Sequence, residues 1–213
     1  MRIFNLLSVT FLFILFVGAI PGAAQETSGT QTLLIINFKN ISAVYGEGAS
    51  VKSPISNRVF RCGTVQAGAE NIIASHALNI VKTRGEYVML PSSKAPAITA
   101  GIVSGGGGKF LSERELVIET ARTMGADFVM AGYVYRFAER VGRNYSAESP
   151  ASVAFGVHIL RAKDGRVIWS RHFDETQRAL SDNLFEIGTF FKRGGKWVTA
   201  EEMARMALED MIQ

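Results

Sequence analysis

Cysteine is nearly absent from this chain. Cys62 is the one thiol in 213 residues, so no disulfide can form within the chain and stability has to come from packing. Beside Val59 and Phe60 that thiol reads as a small, half-buried hydrophobe, with pairing between chains as the alternative. Histidine is almost as scarce: His76, His158 and His172 are the full set. No G-x-S-x-G elbow, H-E-x-x-H helix or Cys/His pair accompanies them. Metal ligation and base-assisted nucleophilic attack both need such groups brought together, so the sequence supports no metal site, no cofactor and no catalytic residue. A large charge surplus is missing too. Without residues 1–24, whose one charged residue is Arg2, 22 Lys and Arg stand against 19 Asp and Glu, a net +3. So small a surplus gives no reason to expect nucleic acid, while leaving an anionic membrane surface or a cell-wall polymer as a partner class. Nucleotide is not expected either. Gly105, Gly106, Gly107 and Gly108 precede Lys109, but a phosphate loop needs glycine where Val103 stands and Ser or Thr where Phe110 stands.

The first residues carry the pattern of export. Arg2 supplies a positive charge, residues 9–20 an apolar run, and Gly22, Ala23 and Ala24 the small residues before a cleavage site. Residues 1–24 are therefore read as a cleavable signal peptide, with an uncleaved anchor over residues 3–20 as the alternative, although that run falls short of the roughly 20 apolar residues that span a bilayer. Gln25 stands where a lipoprotein would need cysteine, so lipid attachment is not expected. Residues 25–31 are polar and aperiodic, a linker, and residues 32–213 are the length of a single domain.

Periodicity divides that domain. Residues 32–38 (TLLIINF) are apolar on both faces, as in a central buried strand. Residues 40–65 read mostly as loop with a short edge strand over 57–61. From Ala69 to Val81 the apolar residues follow a helical stripe that Gly85 ends, and His76 falls on it as a satisfied core histidine. Residues 87–90 form a second buried strand stopped by Pro91, and a long loop follows. Ser112 and Glu115 make a capping box that opens a helix closed by Gly125. Residues 127–135 form a third buried strand, and 136–150 read as loop. Strands over 153–161 and 166–173 flank Asp164-Gly165, a strong hairpin signal. With those two residues as the turn, Lys163 faces Arg166 and His158 faces Arg171. His172 then lies on the opposite face with Asp174, so the two strand histidines point apart. Thr199 and Glu202 cap a last helix whose apolar face is Met203, Ala207, Leu208 and Met211. The fold class that results is α/β: a mixed sheet of about five strands with two to three packed helices, including a C-terminal antiparallel hairpin and a closing helix.

LLIINFKNIS at 33–42, GEYVMLP at 85–91, MGADFVMAGYVYRF at 124–137 and VHILRAKDGRVIWSR at 157–171 resemble the small α/β domains of bacterial envelope accessory proteins, the group of CsgG, LpoB and the N-terminal domain of TolB. The resemblance implies a non-enzymatic role in the periplasm, associated with the outer membrane, in which the chain binds a protein partner or self-associates during envelope assembly or secretion. An exported hydrolase with an unrecognised site and an oligomeric secretion-pore subunit are the alternatives. Two surfaces could serve a partner. Phe190, Phe191, Lys192, Arg193, Lys196 and Trp197 interleave aromatics with cations around Gly194-Gly195, a pattern that suits a protein or an anionic membrane. Arg136, Arg140 and Arg143 form a second basic group. For both, solvated cations beside core aromatics are the plainer reading.

Overall fold

The computed structural model describes residues 31–105, 110–143, 146–177 and 198–212, with residues 142–143 and 146–148 described by backbone alone. The apolar run that opens the domain does not stay one strand. Thr32–Ile35 (β1) is followed by a bend, and Lys39–Asn40 (β2) resumes beside the same neighbouring strand. A single helical turn, Ser42–Tyr45 (α1), comes next, with the Ala43 N–H donating to Asn40 Oδ1 at 3.0 Å. Ser50–Lys52 (β3) and Val59–Arg61 (β4) then pair antiparallel as a separate hairpin. The edge strand expected over 57–61 is thus present, and its partner lies in what read as loop.

Ala69–Arg84 (α2) ends as its sequence predicts: Gly85 takes a left-handed φ of 68° and its N–H reaches Val81 O. Val88–Leu90 (β5) runs parallel to β1. It is an outer strand, with Val88 48% exposed, and not the buried one expected. A 3-10 turn at Ser92–Lys94 leads into Ala95–Gly105 (α3), where the sequence reads as loop. Pro91, Pro96 and the glycines concealed this helix. Pro96 stands in its first turn, where a missing N–H removes no helical bond, and the helix lacks the polar face that would have produced a stripe.

Glu113–Thr123 (α4) carries the expected capping box, the Ser112 N–H donating to Glu115 Oε2 at 2.8 Å and the Glu115 N–H to Ser112 Oγ at 3.3 Å. Phe128–Ala138 (β6) outruns its predicted end. Val141–Arg143 (β7) and Ser146–Ser149 (β8) form a small hairpin in a stretch read as loop. Ser152–Arg161 (β9), Val167–Thr176 (β10) and Ala200–Met211 (α5) complete the described elements, α5 with a second capping box from Thr199 and Glu202. The main sheet runs β10-β9-β6-β1-β5, with β2 also beside β6. Its β1, β5 and β6 are mutually parallel where they pair, and β6, β9 and β10 pair antiparallel. This is the expected α/β mixed sheet with its C-terminal-side hairpin and closing helix.

Side chains leave the sheet in two sets. Leu33, Met130, Val134, Phe155 and Val157 pack under α2 and α5. Leu34, Val129, Tyr133, Tyr135 and Leu160 pack under α4 and the segment that carries Ile41, Ile55, Phe60 and Cys62. At the start of β1 and β6 the Gly-Ala-Asp sequence acts as a latch. Gly125 is left-handed at φ 71°, Ala126 is buried, and Asp127 Oδ2 accepts from the Thr32 N–H and hydroxyl at 2.9 and 2.8 Å. Those bonds hold the Asp127 carboxyl below its usual range.

The β9–β10 register differs from the expected one. His158 lies opposite Ser170, and His172 opposite Gly156. Asp164-Gly165 does turn the chain, but within a wider loop: the Arg161 N–H donates to Arg166 O and the Gly165 N–H to Arg161 O, each at 2.8 Å. A bulge between Val167 and Trp169 follows. From Trp169 onward the net slip is one residue, which moves those β10 side chains to the other face, so His158 and His172 share a face instead of pointing apart.

The closest approach in the sheet is at Gly132. A Cβ there would stand 2.2 Å from Cδ2 of the buried Phe38 ring. Gly132→Ala is expected to destabilise by about 1–3 kcal/mol in urea unfolding, and Phe38→Leu in the same chain should recover part of that loss. Full additivity of the two changes would show that the ring is not what confines the glycine.

Candidate functional site

Two features of the fold can hold or sense something. The first is a cleft at the carboxyl ends of β1 and β5. The chain leaves β1 through α2 on one face to reach β5, and reaches β6 on the other side of β1 by way of α4 on the opposite face. Open α/β sheets form their crevice at such a reversal. Here it is a cleft of about 430 Å³ lined by Asn37, Asn71, Ser75, Lys82, Met89 and Ser92 among others. Across residues 36–37 a smaller pocket of about 190 Å³ lies under α3 and α4, between Pro96, Thr99, Leu116 and Thr120. The Lys39–Glu113 ion pair, at 2.8 Å, stands at its wall. The larger cleft presents amides, hydroxyls and one ammonium, with no carboxylate, imidazole or thiol in its lining.

The second feature is a buried polar seam between the sheet and the β3–β4 hairpin. His158 is 0% exposed and Ser53 1%. His158 Nδ1 lies 2.8 Å from Ser170 Oγ, its Nε2 lies 3.4 Å from Ser53 Oγ, and Ser170 Oγ is 3.4 Å from His172 Nε2. Gly156 sits beneath both rings, where a Cβ would come within 3.1 Å of His158 Nε2 and of His172 Nδ1. Phe60 closes the seam from the hairpin, stacked on Tyr135 at 4.1 Å and edge-on to His172 at 5.7 Å. Burial favours the neutral forms throughout. It brings His158 down to about 4, helped by His172. His172 is lowered by burial and by the nearby Arg58 and Arg171, and Tyr135 is pushed up to about 12.

Ser53 beside His158 is the pairing a nucleophile and its base would make, but Ser53 and His158 are buried and, among the described residues, no carboxylate bonds to the imidazole. Among the described residues no group of three or more His, Cys, Asp or Glu side chains is arranged to hold a metal. What the seam does chemically is tie the hairpin to the sheet through groups that must stay uncharged. Sequence reasoning missed it because a one-residue register difference separated the two histidines.

The residues singled out in the sequence are dispersed. Phe190, Phe191, Lys192, Arg193, Lys196 and Trp197 lie outside the described residues, as does most of the glycine run before Lys109. Arg136 is turned inward. It is paired with Asp174 Oδ1 at 2.7 Å and bonded to Ser152 Oγ, and its stem crosses Gly63. Arg140 is partly buried at the end of the β6 segment, and only the backbone of Arg143 is described. His76 is partly exposed and meets Glu201 Oε1 at 3.2 Å, joining α2 to α5. Cys62 is buried, and burial raises its thiol pKa.

No family model and no curated protein matches the chain. Among solved structures it is similar to the PelC dodecamer from Paraburkholderia phytofirmans, at 14% identity over 86% of this chain and 85% of that one, with a TM-score of 0.47. It is also similar to the LpoB C-terminal domain from Salmonella enterica (14%, 71% and 87%, TM-score 0.37). A third is lipoprotein GNA1162 from Neisseria meningitidis (13%, 78% and 98%, TM-score 0.38).

The seam predicts an acid-sensitive fold. A base whose folded-state pKa lies below its unfolded value of about 6.5 supports folding fully above that value and loses its contribution as pH falls toward about 4. His172 is shifted in the same direction. Lowering pH from about 7.5 to about 5 should cost on the order of 2 kcal/mol in urea unfolding, and His158→Gln should remove most of that dependence. A parental pH slope in the variant would locate the sensitivity elsewhere.

Proposed function

We propose that this chain is an exported, non-catalytic accessory protein of the bacterial envelope that holds a protein partner or a second copy of itself in envelope assembly or secretion. The observation that carries this is β10. Ten residues long, it pairs with β9 along its length, and among the described residues its other edge has no strand beside it. An edge of that length is a template for strand addition, whether by a partner or by a copy. Exposed Arg171 lies over Trp169 at 5.8 Å, so the edge carries both a cation and an aromatic surface. Residues 190–197, with their aromatics and cations, follow β10 in sequence and are proposed as part of the same contact. Export by residues 1–24 and the resemblance to envelope proteins agree with this setting.

The hydrolase alternative has one observation in its favour, the Ser53–His158 contact, and it requires the hairpin to open before substrate can reach Ser53. A pore subunit would form detergent-dependent oligomers.

A photo-crosslinking residue placed at Arg171 should give adducts in intact envelopes, while one at Glu209 on α5 should not. Alanine at Lys192, Arg193, Lys196 and Trp197 should cut the adduct at least about five-fold, the factor that loss of roughly 1 kcal/mol produces, with thermal unfolding unchanged. Light scattering would separate a copy from a foreign partner. A monomer in solution with no adduct at Arg171 in envelopes overturns the proposal.

A further inference from the structure

α3 has no charged side chain, and Thr99 and Ser104 are its polar ones, yet only Ala95 in it is buried. From residue 95 to residue 108 the sequence holds no charged side chain. One side of the helix rests on α4, where Thr99 Oγ1 and Thr120 Oγ1 meet at 3.0 Å. Away from that contact Ala97, Ala100 and Val103 are exposed, at three-residue steps along the outer side of the helix. Val103 is 65% exposed, and Phe110, close after the helix, is 100% exposed. A helix without a charged face belongs in a core or against another apolar medium.

We infer that the outer stripe of α3, together with Phe110, seats the protein on an anionic lipid surface. Length and charge favour lipid over protein. Eleven residues make a rod about 16 Å long, too short to cross a hydrocarbon layer of about 30 Å and suited to lying within the interface. Lys94 is exposed at the amino end of α3, and Lys109 stands beyond its carboxyl end in the sequence. A lysine such as Lys94 at the end of an apolar helix can keep its ammonium group among headgroups while the helix sinks. The net charge without residues 1–24, +3, has the sign that anionic lipid attracts. The stripe itself is small and aliphatic, and it lacks the Tyr, Trp and Arg anchors that concentrate binding energy in protein interfaces. This inference stands apart from the β10 proposal, since α3 follows β5 at the opposite edge of the sheet.

Spin labels test it in the full chain. Cysteine is placed at Val103, Phe110 or Glu209 on a Cys62→Ala background whose folding is checked by circular dichroism. With vesicles of phosphatidylglycerol and phosphatidylethanolamine, labels at 103 and 110 should become accessible to oxygen and shielded from aqueous nickel chelate, and the label at 209 should stay aqueous. Tethering by an uncleaved N-terminal segment would not by itself produce that contrast. Val103→Asp with Phe110→Asp, in the unlabelled chain, should weaken vesicle partitioning about ten-fold or more, with thermal unfolding unchanged because both side chains are exposed. Aqueous labels at 103 and 110 in the presence of vesicles overturn the inference. So does shielding from both reagents without lipid that grows with protein concentration, which would mean that a second copy covers the stripe.

Discussion

β6 is hydrogen-bonded on both edges, to β9 on one side and to β1 and β2 on the other, and every residue from Phe128 to Tyr135 is buried as well. Both of its faces must be covered. The alternation along it is therefore between two cores and not between core and solvent: Met130 and Val134 go to one layer, Val129, Tyr133 and Tyr135 to the other. The remaining elements follow from that demand. α2 and α5 cover one side. α4 and the irregular segment with the β3–β4 hairpin cover the other, where Phe60 lies flat on Tyr135. Gly132 belongs to the same logic, since Phe38 can cross β6 only where no side chain rises to meet it.

That hairpin covers the sheet with more than apolar weight. Hydrophobic burial is non-directional, whereas a buried imidazole bonded to a serine from the neighbouring strand and close to a serine from the hairpin fixes one placement. The cost is that two imidazoles must remain neutral beneath it. Gly156 makes room for both rings, and Arg58 and Arg171 nearby oppose a further positive charge. A seam of this kind couples the seating of one element to proton concentration.

The two surfaces proposed for contact lie at the lateral margins of the sheet. β10 presents a long backbone edge. At the other margin, short β5 leads into α3, an apolar helix set outside the core. A strand edge offers hydrogen bonds, which suit a polypeptide, while an uncharged helix with Lys94 at its amino end suits lipid.

Much of this was legible in the residues. Ser112 with Glu115, Thr199 with Glu202, and glycines at 85 and 125 define helix ends by contacts within a few residues, so local sequence was enough to place α2, α4 and α5. The apolar run in β6 likewise announced a buried strand. Tertiary structure alone decided three things. It made β5 an edge, because a strand's neighbours are chosen by the path of the whole chain. It set the β9–β10 register by a loop wider than Asp164-Gly165 and a bulge after it, and so brought His158 and His172 together, because side chains alternate every residue and a slip of one reverses a strand. It made residues 95–105 a helix against α4, because a segment without a polar face carries no period from which to read it. Sequence by itself determined what each segment could become where the deciding contacts are local; partner, register and exposure are settled by residues far apart in the chain, which only the fold brings into contact.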